Sequence, residues 1–367
     1  MSSLSEKLAQ FNGSLPLDVA STIPNIWYTD AEVAKRERSA VFGDNWLFVG
    51  RTEQVREPGQ FFTLTIAAEP VLVARGEDGV LRAFANICRH RAARVMTEEQ
   101  GCATKFRCPY HGWTYDLAGQ LRGVPEFDGV SNFSRDKNGL PALAVETWGP
   151  FVFVHPGSPR QALGEYLHPL EDRLAPFAID DLKFNGRRSY ELDCNWKVYC
   201  DNYLDGGYHV HSIHPSLAPV LDYKNYKTEI QQSFSVQSAP LKVPEQGEDT
   251  SAAAVRTGTA AAYAWIYPNF MINAYAGVMD TNLVLPLSPN RCRVVFDFYF
   301  APGTMTPEKW EESMRVADQV QAEDVGICED VQRGLGSRHF VAGRFSVRRE
   351  AGVYHFHRLL AKQLRAG

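Results

Sequence analysis

The chain has 367 residues, 44% hydrophobic and 12% aromatic, the composition of a folded protein with room for one large domain or two smaller ones. A net charge of −5 without a basic run argues against a nucleic-acid partner, and no apolar run approaches the roughly 18 residues of a membrane helix. The start, MSSLSEKLAQF, has neither the apolar core of a secretory signal nor an Arg-rich transit pattern, so a cytoplasmic protein with no membrane partner is expected.

Residues 24–48, PNIWYTDAEVAKRERSAVFGDNWLF, space charged and apolar positions as a helix would and predict one ending near Gly43. From about 50 to 155 the texture is strand-like. FFTLTIAAEPVLVARGEDGVLRAFANI holds a Glu-Asp-Gly turn between apolar runs, and GPFVFVHPG (149–157) closes the region with a strand and a Pro/Gly break. Residues 157–190 read as helical and connecting, and 231–260 as a polar stretch in which 238–258 forms a lid or a solvated loop. Strands are expected at 263–274, 281–287 and 291–300, and a long helix over 307–335. The fold class is α+β, a β-rich metal module inserted in a larger domain of sheet and helices, with boundaries at 45–156 for the module and at 1–44 plus 157–367 for the rest.

Seven cysteines thinly spread over a long chain are not a secreted disulfide framework. Four candidate ligands of two types cluster instead: Cys88-x-His90, then 17 residues, then Cys108-x-x-His111. Zinc fingers group cysteine with cysteine and histidine with histidine, whereas each short loop here offers one thiolate and one imidazole. That suits a [2Fe–2S] cluster of the Rieske type, two cysteines on one iron and two histidines on the other, and Pro109 and Gly112 suit a tight second loop. A structural zinc module without catalysis is the alternative. Cys102, between the pairs, reads as a small buried residue.

A second set lies in NWKVYCDNYLDGGYHVHSIHPSL (195–217). His209 and His214 are five apart, about 140° on a regular helix, and converge only if the helix widens or unwinds before Pro215. Asp205, four before His209, shares its face and can accept its free ring N–H; His211 points elsewhere, as a pocket-lining or solvent residue. Two histidines and a carboxylate form the facial triad of non-haem Fe(II) oxygenases, and in QAEDVGICEDVQRGL (321–335) Asp324 sits in a predicted helix among Val325, Ile327 and Cys328.

CRHRAA…CPYHGW resembles the Rieske motif of the Rieske non-haem iron oxygenases, the ring-hydroxylating oxygenase alpha subunits. Respiratory Rieske proteins carry an extra cysteine in each loop; the corresponding positions here are Ala93 and Tyr110. The Asn-Trp-Lys…Asp-Asn-Tyr-Leu-Asp…Tyr-His-x4-His and Glu-Asp…Glu-x-Val-Gln-x-Gly-Leu runs are similar to that family's catalytic domain, where the Asp of the second run completes the iron site. The resemblance thus implies Asp324 as the ligand, with Glu323, Glu329 and Asp330 as exposed helix charges. It also implies a helix-grip catalytic domain, a mononuclear Fe(II) beside the [2Fe–2S] cluster, and a ring-shaped homotrimer. In that trimer the acid at position 205 bridges to a cluster histidine of the neighbouring subunit, here His111. Many members have this acid three residues before the first histidine; the extra glycine of Asp205-Gly206-Gly207-Tyr208 is shared by the choline monooxygenase branch. YPNFMIN (267–273), MDTNLV (279–284) and His355-Phe-His357 resemble that branch as well.

No Gly-x-Gly-x-x-Gly follows a strand, so a separate NAD(P)H-dependent reductase or ferredoxin must supply electrons. AAYAWIYPNFMINAY (261–275) concentrates aromatics, and strand alternation puts Tyr263, Trp265 and Tyr267 on one face, either as sheet core or as pocket wall. Such rings attract a choline-like quaternary ammonium by cation–π contact, so its hydroxylation or oxidative demethylation is the first expectation, with hydroxylation or dioxygenation of an arene, which could use the same residues, as the alternative.

Overall fold

In the computed structural model, which describes residues 2–249, 251–303 and 306–366, the apolar runs between 60 and 85 form an antiparallel meander of Gln60–Ile66, Glu69–Arg75 and Leu81–Ala85. The Glu-Asp-Gly turn joins the last two, with Gly79 at φ +74°. Ala142–Trp148, Phe151–His155 and Leu47–Arg51 extend the sheet on one side and Gln100–Cys102 on the other, giving seven antiparallel strands. A three-stranded sheet, Phe106–Arg107, Thr114–Tyr115 and Leu121–Gly123, packs its Phe106, Trp113 and Tyr115 into a core shared with Phe61, Leu72 and Phe84. These elements make up one unit, Phe42–Gly164. Cys102 lies exposed on an edge strand, not buried as expected.

The second unit comprises Met1–Val41 and Glu165–Gly367. The early helix is broken: Ile26–Thr29 stops, Asp30 caps a new helix Ala31–Glu37 by accepting from the Glu32 and Val33 amides, and a π-turn Arg38–Phe42 follows. A seven-stranded antiparallel sheet runs in the order Lys183–Leu192, Arg291–Phe300, Val278–Ser288, Phe270–Tyr275, Ala260–Ile266, Phe234–Pro240, Lys227–Ile230. Three expectations are corrected here. Lys183–Leu192 is a strand although its alternate half-buried positions include Gly186 and Arg188, which erases a period-two apolar signal. The polar stretch 231–260 holds the strand Phe234–Pro240 and a short helix, Ser251–Val255. The run 263–274 is two strands, parted where Pro268 offers no N–H to a ladder.

The six strands from Lys227 to Phe300 form a meander in sequence order, and Lys183–Leu192 joins its far edge. Residues 193–226 therefore leave the sheet at one edge and re-enter it at the other. The helix Trp196–Tyr203 and both histidines, His209 and His214, lie on that crossing. Helix Pro307–Leu335 spans 29 residues as expected; Thr306 caps it, Pro307 opens it, and Met314, Ala317, Gln321 and Cys328 bury one stripe. Among the described residues no helix is long and apolar enough to cross a membrane.

Candidate active site

The two Cys/His loops fold as the same turn. Cys88 N–H donates to the Ala93 carbonyl at 2.8 Å and Cys108 N–H to that of Trp113 at 2.8 Å. In each, the residue four after the cysteine donates back to the cysteine carbonyl and has positive φ, Ala92 at +58° and Gly112 at +72°. The equivalence puts both thiols inward, 3% and 2% exposed, and sets the His90 and His111 rings side by side with centroids 4.6 Å apart. His90 stacks on Trp113, while His111 lies at the surface of its unit. The donor set fits a two-iron cluster. His90 Nδ1 is buried without a hydrogen-bond partner among the described residues, and burial with the neighbouring His111 lowers its pKa, which favours a neutral imidazole nitrogen for a metal. Burial, with the Cys88 thiol beside it, pushes the Cys108 thiol up, and metal ligation displaces such a proton. The Tyr115 hydroxyl lies 3.4 Å from Cys88 Sγ, a contact that would tune the potential of a cluster held there.

The second set converges through a cap rather than along a regular helix. Gly206 and Gly207 both take left-handed φ, +71° and +70°, and a Cβ on Gly206 would collide with the Arg349 carbonyl. The chain reverses there, and Asp205 accepts from the Tyr208 and His209 amides at 3.0 Å each and from His209 Nδ1 at 2.7 Å. So Asp205 reaches His209 as expected, but as the cap of this turn. His209 opens and His214 ends the one-turn helix Val210–Ile213, and the unwinding before Pro215 brings their Nε2 atoms to 3.1 Å.

Asp324 projects from the stripe that buries Gln321 and Cys328. Its Oδ1 lies 3.2 Å from His214 Nε2 and 3.9 Å from His209 Nε2, and all three ligand atoms fall within 4.8 Å of one another. Two polar rungs hold the carboxylate against helix Trp196–Tyr203: Tyr199 to Gln321 and Asn202 to Asp324, both 2.7 Å. That helix is anchored by a buried ion pair, Lys197 to Glu37 at 2.6 Å. Glu323 corrects an expectation. Its Oε2 accepts from His214 Nδ1 at 2.7 Å, so it is not merely a solvated helix charge. Both histidines thus carry a proton on Nδ1, fixed by Asp205 and Glu323, and their Nε2 lone pairs face each other beside a carboxylate. Burial lowers the His214 pKa, but Asp324 and Glu323 outweigh it and hold it above the ordinary value, so a divalent cation bound here would compete with a proton for Nε2.

A cavity of about 110 Å³ adjoins His209, His214 and Asp324. Its sheet wall is a cross-strand row in which Tyr263 pairs Asn273 and Asn273 pairs Asp280. Tyr199, Tyr203, Tyr226, Tyr275 and Phe296 supply further rings, and Arg256 completes the wall. Of the four expected pocket residues only Tyr263 lines this cavity. Trp265 and Tyr267 pack against Phe356 of helix Ala351–Arg365, because that helix covers their end of the sheet. His211 is exposed and edges onto Tyr223. Sequence reasoning missed Asn202, Glu323, Arg256 and Asp280; only the Asp324 stripe, continuing the buried positions 314, 317, 321 and 328, had a periodic signal.

Residues 45–134 match the Rieske [2Fe-2S] domain family, and residues 179–366 match the ring hydroxylating alpha subunit (catalytic domain) family. The chain is similar to the chloroplastic choline monooxygenase of Arabidopsis thaliana, 41% identical over all of this chain and 88% of that protein. It is 30% identical to the carnitine monooxygenase oxygenase subunit of Escherichia coli (strain K12), over 94% of each. The quaternary ammonium Rieske monooxygenase CntA, solved with gamma-butyrobetaine, superposes over 100% of both chains with a TM-score of 0.82 at 27% identity. Naphthalene 1,2-dioxygenase from a Rhodococcus species shares the fold, with a TM-score of 0.76 at 20% identity. On these matches and this donor chemistry, the chain belongs to the Rieske non-haem iron oxygenases, oxidoreductases of the ring-hydroxylating alpha-subunit family that use a Rieske [2Fe–2S] cluster and a mononuclear iron.

Proposed function

We propose that this chain is the terminal oxygenase that hydroxylates, or oxidatively demethylates, a small quaternary ammonium compound. The observation that carries the reading is the tyrosine wall. Tyr203, Tyr226, Tyr263 and Tyr275 line a cavity that also holds the metal-facing nitrogens of His209 and His214, and aromatic faces attract a cation that no hydrogen bond can hold. The relatives named for choline and carnitine oxidation support it.

In this reading Cys88, His90, Cys108 and His111 hold the cluster, and His209, His214 and Asp324 hold the iron. When bound, the cluster supplies electrons singly and the iron supplies dioxygen activation. Asp205 and Glu323 orient the iron-binding imidazoles, and Asn202 holds the Asp324 carboxylate. The cluster domain is 45–156 and the catalytic domain 1–44 with 157–367. The enzyme works as a cytoplasmic homotrimer fed by a separate NAD(P)H-dependent reductase or ferredoxin. The surface position of His111 supports a contact with the neighbouring subunit's Asp205.

Two measurements test this. Dioxygen uptake coupled to product, driven by a surrogate reductase, is expected with choline or carnitine; uptake with arenes alone sinks the quaternary ammonium reading. Cys108→Ser is expected to abolish the red-brown visible absorption of the cluster, whereas an unchanged spectrum removes Cys108 from the ligand set.

A further inference from the structure

Arg256 follows the short helix Ser251–Val255 and brings a charge into the cavity wall, its side chain only 6% exposed. Nη1 donates to Asp280 Oδ1 at 2.9 Å and the guanidinium lies 4.7 Å from the Tyr275 ring centre, but Nε is buried with no acceptor among the described residues. Asp280 is engaged on both oxygens, the second by Asn273 at 2.6 Å. The same sheet shows what a satisfied pair looks like: Arg187 grips Asp297 through both Nε and Nη2, at 2.6 and 2.8 Å. A guanidinium stays charged and carries five N–H donors, so a buried one bound to a single oxygen is under-partnered.

Charge balance points the same way. Arg256 and Asp280 together contribute no net charge to the cavity. A substrate that is only a cation would add a positive charge beside a buried guanidinium, whereas a zwitterion adds none.

Resting on the quaternary ammonium reading above, we propose that Arg256 is an anion subsite of the substrate cavity and that the preferred substrate carries a carboxylate as well as its quaternary nitrogen. Asp280 and Asn273 hold the guanidinium in place, and the N–H groups at its Nη2 end, which make no hydrogen bond among the described residues, are left to the substrate. A carboxylate meets the planar fork with two oxygens, where an alcohol offers one uncharged acceptor.

Three probes separate the groups: choline has the ammonium and a hydroxyl, gamma-butyrobetaine the ammonium and a carboxylate, and L-carnitine all three. With the intact holoenzyme and an electron donor, product-coupled dioxygen uptake is expected to give a kcat/KM about 30-fold higher for each carboxylate compound than for choline, the worth of one charge-assisted hydrogen bond. Butyrate, a carboxylate without the ammonium, is expected to compete with gamma-butyrobetaine. In Arg256→Lys, which keeps the charge but loses Nε and the fork, the gamma-butyrobetaine-to-choline ratio is expected to fall about tenfold. Arg256→Gln is expected to lower it further; because its loss of charge strands Asp280, the wild-type ratio and the Lys variant decide the matter if it does not fold. Equal or better use of choline by the wild type, or an unchanged ratio in Arg256→Lys, would make Arg256 only a structural partner of Asp280 and overturn the subsite. If none of the three compounds drives uptake while an arene does, the substrate reading itself has failed, a result distinct from quaternary amines turning over without carboxylate preference.

Discussion

Asp205→Asn is expected to retain both metal centres and to lose about a hundredfold or more in turnover, the upper range for a group that orients a metal-bound imidazole. Asp205 has two jobs that this substitution separates. As a cap it accepts the Tyr208 amide on Oδ1 and the His209 amide on Oδ2, and asparagine keeps one of these two bonds through its single acceptor oxygen. As a bridge it must accept from His209 Nδ1 and, in the proposed trimer, from His111 of the neighbouring subunit. Oδ2 already takes two N–H groups and Oδ1 one, so the carboxylate still has a lone pair to offer. An amide in its place has one acceptor oxygen, and its NH2 confronts a ring N–H with another donor. The deciding measurement is single-turnover kinetics of the pre-reduced variant with substrate and dioxygen. Cluster oxidation at the wild-type rate would show that Asp205 only caps the turn, and lost thermal stability with an unchanged rate would say the same.

The second large effect concerns the carboxylates of the long helix. Asp324→Ala is expected to lose the mononuclear iron and all detectable turnover while the cluster spectrum stays intact. Among the described residues only Asp324 places an oxygen near both facing Nε2 atoms, at 3.2 and 3.9 Å. Glu323 touches His214 on the opposite ring nitrogen, so Glu323→Gln is expected to weaken iron affinity about 10- to 100-fold rather than abolish it. Iron content per cluster, measured after dialysis against graded chelator, distinguishes the two. An Asp324→Ala protein that keeps its full iron, beside a Glu323→Ala protein that loses it, would exchange the roles of the two acids.

Much of this site was legible before any coordinates because its signals are local. The Cys88-x-His90 and Cys108-x-x-His111 loops are single turns whose geometry depends on a few neighbouring residues, and the alternation of cysteine and histidine already spoke for a cluster over a zinc finger. The 29-residue helix was equally visible, since a 3.6-residue period kept over eight turns outweighs local exceptions, while the choice of Asp324 among its acids came from the family resemblance. The pairing of Asp205 with His209 was legible from spacing alone, although the reason for it, a cap made by two left-handed glycines, was not.

What tertiary structure alone decided is which surface each residue meets. Alternation puts Tyr263 and Trp265 on one side of a strand but is silent on what covers each end. Here the cavity receives Tyr263, and helix Ala351–Arg365, distant in sequence, covers Trp265. Glu323 looked like any solvent-facing helix charge until the crossing segment 193–226 brought the His214 ring within 2.7 Å. Arg256 and Asp280 are 24 positions apart, and nothing in the MDTNLV run around Asp280 pairs it with Arg256. Secondary structure and metal-binding turns follow from contacts within a few residues, so the chain carries them openly. The pocket is assembled from strands, a crossing segment and a distant helix, so its chemistry exists only once the sheet has brought them together.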